Sequence, residues 1–414
     1  MDMTRKGFLG GSLAMMASMT AVGAENGKKK EIWGLKDGGD GKTAKDSWTA
    51  FSERKLRVGI AGEGVCSFGS AFGWQNHPNA EVVACTDIVP SNCERLQKRV
   101  GAKKTYKSCE EMIKNAAADK LDCVYIATDA ASHIQLAIMA LDHGLHVASA
   151  VPALLGKEQL EYVPKLIDAV KRNGKIYYMN ETSAFRASCY AMRKLYEAGM
   201  FGNITYTEGE YFHSSTSKPN LNARAGHGSY GGWREGLPPQ YYPTHSNGYY
   251  TCVTHKRFVK VTCTGVKSLM VGRYTKNRYD NNPYGSEYAM FQCEDGSAAR
   301  MLVHWDSPSA FGEDGRIWGQ EGCYIPEKSG YKGWHAAQVA KMDLNRPKLP
   351  PGMPGGGHGG SHGYLTDDFI RSILVKDHKP CVDVYTALNT TVAGIYAHLS
   401  AVKDGERLTI PAIS

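Results

Sequence analysis

Apolar runs alternate with glycine and polar stretches from residue 55 to about residue 180, in the order that a parallel sheet with crossover helices requires. The run Leu56–Ala61 leads into Gly62-Glu63-Gly64, and a second run, Glu81–Thr86, ends at Asp87. This order predicts a strand, a glycine turn, a helix and a second strand that ends in an acid. Further strands are predicted at 121–128, 145–150 and 175–180, and helices at 132–143 and 157–173.

The pattern changes after residue 180. Residues 203–213 alternate between apolar and polar side chains, as in a half-exposed strand. Later strands are predicted at 259–263, 288–293, 298–305 and 316–318, with closing helices at 367–375 and 384–402. The fold class is therefore α/β: a Rossmann domain with a doubly wound parallel sheet (55–180), then an α+β domain (181–414) with an open, mostly antiparallel sheet.

The first 24 residues are typical of an export signal. Arg5 and Lys6 precede the apolar stretch Phe8–Val22, and small residues up to Ala24 offer a cleavage site. The Arg-Lys pair resembles a twin-arginine signal, so we expect a periplasmic or otherwise exported protein. The stretch is too short and too weakly apolar to predict stable membrane insertion. Residues 25–54 are polar and predict an extended arm.

Composition narrows the choice of partners. The net charge of +8 is scattered, with no basic stripe among aromatics, so we expect no nucleic-acid partner. The 11 cysteines show no CxxC spacing. His358 and His362 lie in a glycine-rich loop without a cysteine or a carboxylate pair nearby, which favours substrate or solvent contacts, and we expect no metal. The 23 tyrosines suit a polar small molecule such as a sugar.

The glycine turn carries the clearest chemistry. Gly62 permits the tight turn, and Gly64 lets the backbone approach a pyrophosphate at a helix N-terminus. Asp87 is placed to accept hydrogen bonds from a ribose diol, which favours NAD over NADP. Ser67 stands where a third glycine is usual, and Gly69 follows two residues later.

The chain resembles the Gfo/Idh/MocA oxidoreductase family. The resemblance rests on GIAGEGVCSFG, on DCVYIATDAASHIQLAIMALDHGLHVASAVP, and on the closing LTDDFIRSI and VDVYTALNTTVAGIYAHLSA segments. Open sheets in this family commonly pair, so a dimer or tetramer is expected. The resemblance implies NAD as cofactor, held by Gly62, Gly64, Val65, Asp87, Ala127, Thr128, His133 and Asn180.

The family's catalytic lysine is replaced by Val151. One branch, the NAD-dependent α-N-acetylgalactosaminidases, is similar in this respect and in three motifs: Asn180-Glu181, the strand Gly209–His213, and the turn Tyr-Pro-Thr-His ending at His245. The resemblance implies His245 as the main catalytic side chain, assisted by Tyr211 and Tyr242. It implies substrate contacts by His213, Trp233, Arg234 and His362.

That branch implies a redox-neutral cleavage. Oxidation of a ring hydroxyl by NAD makes the neighbouring C2 proton acidic, the anomeric group leaves by elimination, water adds, and the hydride returns. His245 would accept the hydroxyl proton, and Tyr211 or Tyr242 would remove the C2 proton. Two alternatives remain: a net sugar dehydrogenase or reductase, and a non-catalytic sugar-binding protein with the same fold.

Overall fold

The computed structural model describes residues 33–35, 48–64, 66–213, 233–234, 236–268, 279–306, 312–328 and 330–413. The predicted signal peptide, most of the predicted arm and Val65 lie outside these residues. The two sheets described below belong to one compact unit that starts at Trp33.

Six parallel strands form the first sheet, in the order β3-β2-β1-β4-β5-β6. The strands are β1 Leu56–Ala61, β2 Ala80–Thr86, β3 Lys104–Tyr106, β4 Cys123–Ile126, β5 His146–Ser149 and β6 Tyr177–Met179. The helices are α1 Phe68–Ala71, α2 Pro90–Val100, α3 Cys109–Lys114, α4 Ala116–Asp119, α5 His133–Asp142 and α6 Val163–Asn173. Because helices cover a parallel sheet, its strands are apolar on both faces, as the fully buried β4 shows. The predicted Rossmann sheet is confirmed.

One predicted helix of this domain is divided. Residues Lys157–Tyr162 form a 3-10 helix, and the α-helix begins at Val163. Pro164 lacks the backbone N–H that an interior helical position needs, so it is accommodated in the first turn of the α-helix.

Eight strands form the second sheet, in the order β13-β12-β11-β7-β10-β9-β8-β14. They are β7 Ile204–Phe212, β8 Phe258–Lys267, β9 Tyr284–Cys293, β10 Ala298–His304, β11 Gly312–Gly319, β12 Gly322–Ile325, β13 Gly330–Gly333 and β14 Leu408–Thr409. Strands β7 and β10 pair in parallel, and the other described pairs of this sheet are antiparallel. The predicted second domain is thus confirmed, with a mixed, mostly antiparallel sheet.

Helices cover one face of this second sheet. The helices of this half are α7 Ala187–Glu197, α8 Thr244–Thr254, α9 Ala336–Val339, α10 His362–Leu374 and α11 Val384–Ala401. Helix α8 lies so close to β7 that a Cβ at Gly209 would stand 2.1 Å from the Ser246 carbonyl oxygen. Helix α11 reaches the Rossmann domain, where the Ala153 N–H donates to Thr391 Oγ1 at 3.3 Å. Across the described residues, no helix combines the length and apolar composition needed to cross a bilayer.

Candidate active site

A cleft of about 400 Å³ opens where β1, β2 and β4 end. Five of the predicted cofactor residues line it: Gly62, Gly64, Asp87, Ala127 and Thr128. Trp233 and Arg234, which were predicted to bind substrate, also line it. Ligands of open parallel sheets bind outside the carboxyl ends of the strands, and this cleft has that position.

Backbone N–H groups of the glycine turn hold the Asp87 carboxylate in place. Its Oδ2 accepts hydrogen bonds from the N–H groups of Glu63 (2.9 Å) and Gly64 (3.1 Å), and its Oδ1 accepts from Val89 N–H at 2.8 Å. Carboxylate oxygens have further lone pairs, so this fixed group can still accept from a ribose diol.

Gly69 explains the missing third glycine. A Cβ at Gly69 would lie 2.3 Å from the Gly62 carbonyl oxygen and 3.0 Å from Leu96 Cδ1. The close approach of helix α1 to the glycine turn therefore needs a glycine at position 69. Ser67 instead precedes α1 with a left-handed φ of 54°, and its Oγ accepts a hydrogen bond from Arg99 Nη1 at 2.8 Å. The displaced glycine keeps the turn fit for a pyrophosphate.

His133 and Asn180 do not line the cleft. Both ring nitrogens of His133 contact backbone carbonyls, Nδ1 that of Pro152 at 2.8 Å and Nε2 that of Thr128 at 3.0 Å. The ring thereby positions the Thr128 segment. Asn180 is 1% exposed, and its amide oxygen and nitrogen have no partner within the described part of the chain. Buried amides are almost always paired, but this one is closed off from the cleft, so the contact of Asn180 with NAD stays a prediction.

The predicted catalytic residues do come together. The His245 ring lies 4.7 Å from the Tyr211 ring and 5.4 Å from the Tyr242 ring, measured between centroids. All three side chains are buried. His213 lies beside Tyr211 at 5.5 Å. Tyr211 near the end of β7 and His213 just after it therefore lie on one side of the chain, as their spacing predicts.

Arg234 connects this cluster with the cleft. Its guanidinium lies 4.4 Å from the Trp233 ring and 4.9 Å from the Tyr242 ring, and it approaches the Tyr242 hydroxyl at 3.5 Å. Burial raises the pKa of Tyr242, and the positive charge of Arg234 does not overcome that effect. Tyr242 therefore keeps its proton and presents a hydroxyl donor.

A buried carboxylate orients His245. Glu181 is fully buried, and its Oε1 lies 3.0 Å from His245 Nδ1. Thr182 Oγ1 lies 3.2 Å from the same nitrogen. Burial disfavours the charged imidazole, but the carboxylates of Glu181 and Glu313 outweigh it and raise the pKa of His245. A raised pKa makes this imidazole a stronger proton acceptor than a free one.

Glu313 and Arg186 complete the cluster, and sequence reasoning missed both. Arg186 Nε donates to Glu313 Oε2 at 2.9 Å, and that oxygen lies 4.0 Å from His245 Nδ1. Burial alone would raise the pKa of Glu313, but His245 and Arg186 lower it to about 2. The sequence predicted only residues 316–318 of β11 as a strand; a strand that begins at Gly312 places Glu313 on the buried side together with Gly315 and Ile317.

The glycine-rich segment supplies two histidines. The His358 ring stacks on the His245 ring at 5.6 Å, and His358 Nδ1 lies 2.9 Å from His362 Nε2. His362 is buried and stacks on Phe72 at 4.1 Å. His362, predicted to bind substrate, therefore contacts the cluster through His358.

Comparison with known proteins agrees with this geometry. Residues 56–181 match the family model described as "Oxidoreductase family, NAD-binding Rossmann fold" (GFO_IDH_MocA). A glycosyl hydrolase family 109 protein of Bacteroides thetaiotaomicron is 31% identical over 165 residues, which are 38% of this chain and 35% of that protein. An α-N-acetylgalactosaminidase of Bacteroides fragilis is 30% identical over 134 residues, 31% of each chain. The matched part is thus about a third of these relatives' length.

Solved structures share the whole fold. Scyllo-inositol dehydrogenase from Lactobacillus casei, with bound NAD(H) and scyllo-inositol, superposes with a TM-score of 0.65 at 17% identity, over 86% of this chain and 99% of that one. Levoglucosan dehydrogenase in complex with NADH and levoglucosan gives 0.64 at 16% identity, over 87% and 100%. Residues 56–181 thus match the NAD-binding Rossmann domain of the Gfo/Idh/MocA oxidoreductases, and the rest of the chain shares the fold of the sugar dehydrogenases named above.

Proposed function

We propose that this protein is an exported enzyme that cleaves a glycoside without net oxidation, by hydride transfer at a ring hydroxyl to a retained NAD. The observation that carries the proposal is the line of contacts from the cleft through Arg234 and Tyr242 to the paired His245 and Glu181. Val151, buried and apolar, stands where the resemblance places a lysine. The names of the glycosidase relatives support the substrate class.

His245 accepts the proton of the ring hydroxyl. Its Nδ1 faces Glu181, and its Nε2 makes no hydrogen bond within the described residues. The nitrogen available to a substrate is therefore Nε2, and the Glu181 carboxylate stabilises the imidazolium that forms. A general base held by a carboxylate in this way is the arrangement that orients histidine in many hydrolases.

When bound, NAD supplies the hydride acceptor and later the hydride donor. The chain must then remove a proton from the carbon beside the new ketone. Tyr211 and Tyr242 are the two candidates beside His245; the positive charge of Arg234 offsets part, but not all, of the effect by which burial raises the pKa of Tyr242. Their single phenylalanine variants distinguish them, because the variant that lacks the carbon-acid base loses exchange at C2.

Export favours the redox-neutral reaction over net oxidation. Soluble NAD is scarce outside the cytoplasm, and a cofactor that is restored in each turnover need not dissociate. The twin-arginine route carries folded cargo, so the protein would acquire NAD before export. N-terminal sequencing of the protein from the native envelope tests this part, and a mature protein that retains Met1 would exclude it.

A homo-oligomer is also proposed. The face of the second sheet that lacks covering helices exposes Val266 (48%) and Met290 (47%), two apolar residues that a second copy would bury. Light scattering on the purified protein tests for a dimer or tetramer, and a monomer at micromolar concentration would exclude it.

Two measurements test the enzymatic proposal. Denatured protein should release NAD(H), and native protein should cleave one of a panel of aryl glycosides without added cofactor, with solvent deuterium entering C2 of the product. His245→Ala should retain NAD and the fold but lose about 10²–10⁴ of the rate, the usual loss with a general base. His335→Ala is the matched control, since His335 pairs with Glu321 outside the cluster. Full activity of His245→Ala, or oxidised sugar as the accumulating product, would refute the proposal.

A further inference from the structure

Three side chains of the cluster, one of them His245, are arranged like the ligands of one metal ion. Ligand atoms of His245, Glu313 and His358 all lie within 4.8 Å of one another. His358 Nε2 and Glu313 Oε1 are 3.8 Å apart, which is too far for a hydrogen bond. Two ligands at about 2.1 Å from one zinc ion can be at most about 4.2 Å apart. The cluster therefore needs a closure of less than about 1 Å to hold an ion.

Each of the three side chains also has an outer partner on its other side. Glu181 engages His245 Nδ1 at 3.0 Å, His362 Nε2 engages His358 Nδ1 at 2.9 Å, and Arg186 engages Glu313 Oε2 at 2.9 Å. These contacts leave Nε2 of both histidines and Oε1 of the glutamate for an ion. Outer partners of this kind orient the ligands of established metal sites. Each histidine thus keeps one nitrogen, and Glu313 one oxygen, that makes no hydrogen bond within the described residues.

Charge and access are also compatible with a cation. Glu181 and Glu313 carry two negative charges, and Arg186 supplies one positive charge to Glu313. The His358 side chain is 25% exposed, whereas those of His245 and Glu313 are 3% and 5% exposed. An ion would therefore enter past His358, whose backbone is held in a left-handed conformation with φ of 51°.

We propose that His245, Glu313 and His358 bind one divalent transition-metal ion, with Zn²⁺ the best match, and that the bound ion inhibits the enzyme. Two histidines and one carboxylate form a common zinc ligand set, and zinc binds such ligands more tightly than manganese or iron does. The ion takes the Nε2 lone pair of His245, so the same nitrogen cannot accept a proton. The inhibition rests on the proposed function, whereas the binding does not.

Binding is tested first, without a substrate. Metal-free protein is titrated with ZnCl₂ by calorimetry, and with Co²⁺ for its visible absorption; one ion per chain is expected. His358→Asn keeps a residue type that tolerates the left-handed backbone, and it should weaken binding more than about 100-fold. His362→Gln should weaken it about 10–100-fold, the usual effect of losing an outer partner. His335→Ala should have no effect. Equal zinc affinity of the parent protein and His358→Asn would overturn the site.

Inhibition is tested on the glycoside that the screen identifies. Each variant is compared with its own metal-free rate, so a change in basal activity does not enter the result. Zinc should inhibit the parent protein and His335→Ala alike, and the zinc concentration for half inhibition should rise with Kd in His358→Asn and Glu313→Gln. Stoichiometric zinc binding with unchanged turnover would leave the site standing and refute His245 as the proton acceptor. If no glycoside is cleaved, the proposed function fails while the binding result stands on its own.

Discussion

Two glycines of the same turn should respond differently to replacement by alanine. At Gly62, φ is +95°, and a Cβ would lie 2.3 Å from the Ala127 carbonyl oxygen and 2.6 Å from its carbon. These are backbone atoms of the cleft wall, which cannot rotate away. At Gly64, φ is +52°, and nothing lies within 4 Å of the added carbon.

The structure separates the cost of the backbone conformation from the cost of the steric clash. A left-handed backbone conformation costs an alanine roughly 1–2 kcal/mol, and this applies to both positions. Gly62→Ala also forces atoms into a packed wall, which typically costs about 1–3 kcal/mol. We therefore expect the free energy of unfolding to fall by about 2–5 kcal/mol in Gly62→Ala and by about 1–2 kcal/mol in Gly64→Ala.

The two variants should also differ in how the loss of NAD affinity relates to the loss of stability. Gly62→Ala displaces the wall at Ala127 and should lose both stability and NAD affinity. Gly64→Ala should remain folded but bind NAD more weakly, because its methyl group occupies the backbone's approach to the pyrophosphate. Urea unfolding followed by tryptophan fluorescence and a titration with NADH measure the two quantities. Equal unfolding free energies for the two variants would refute the reasoning.

Three further outcomes are expected. Asp87→Ala should weaken NAD binding and reduce the discrimination against NADP, as titration with each dinucleotide would show; equal affinities in the parent protein would contradict the role of Asp87. Burial opposes ionisation of Asp367, but its hydrogen bond with His77 lowers its pKa overall. The stability lost in Asp367→Asn should therefore be full above the unfolded pKa of about 3.9 and should shrink as pH falls through the lower folded pKa, as urea unfolding from pH 6 to pH 3 would measure. Cys66 is exposed in the cleft, so NAD should slow its alkylation without changing the rate at Cys323.

The Rossmann domain was predictable because its signals are local. Strand β1 has the bounds that the apolar run Leu56–Ala61 indicates, and the glycine turn and Asp87 follow in the expected order. Gly69 was visible in the sequence, but the sequence did not show that this glycine allows helix α1 to approach the glycine turn. This role depends on how closely helix α1 approaches the Gly62 carbonyl, a distance that no residue pattern encodes.

Helix α8 was missed for a physical reason. Its sequence, THSNGYYTCVT, has no apolar period, and the segment before it resembles a turn. All eleven residues are buried, so no solvent face exists to set a period. Some of its polar side chains bond within the helix, as when Thr251 Oγ1 donates to the Asn247 carbonyl at 3.2 Å, and others bond to helix α11, as when Asn247 Nδ2 donates to the Thr390 carbonyl at 2.9 Å. Pro243 immediately before the first helical residue was the one conventional start signal. The predicted Tyr-Pro-Thr-His turn is therefore the entry to a helix that holds His245.

The partners of His245 come from separate segments, and this limits what a sequence can indicate. Glu181 follows β6, Glu313 lies on β11, and His358 lies in a glycine-rich loop. The motifs predicted His245 as a catalytic residue and gave it two tyrosines, rather than a carboxylate, as its assistants. Glu313 breaks a local rule, because it lies on the buried side of β11, where apolar side chains are usual. Buried charges are retained when they are paired, so an acid on the inward side of a strand indicates a partner elsewhere in the chain, but the predicted strand 316–318 was too short to include Glu313. The partners of Glu313 are Arg186 and His245. Its carboxylate, together with that of Glu181, raises the pKa of His245 and so makes this buried histidine a candidate proton acceptor.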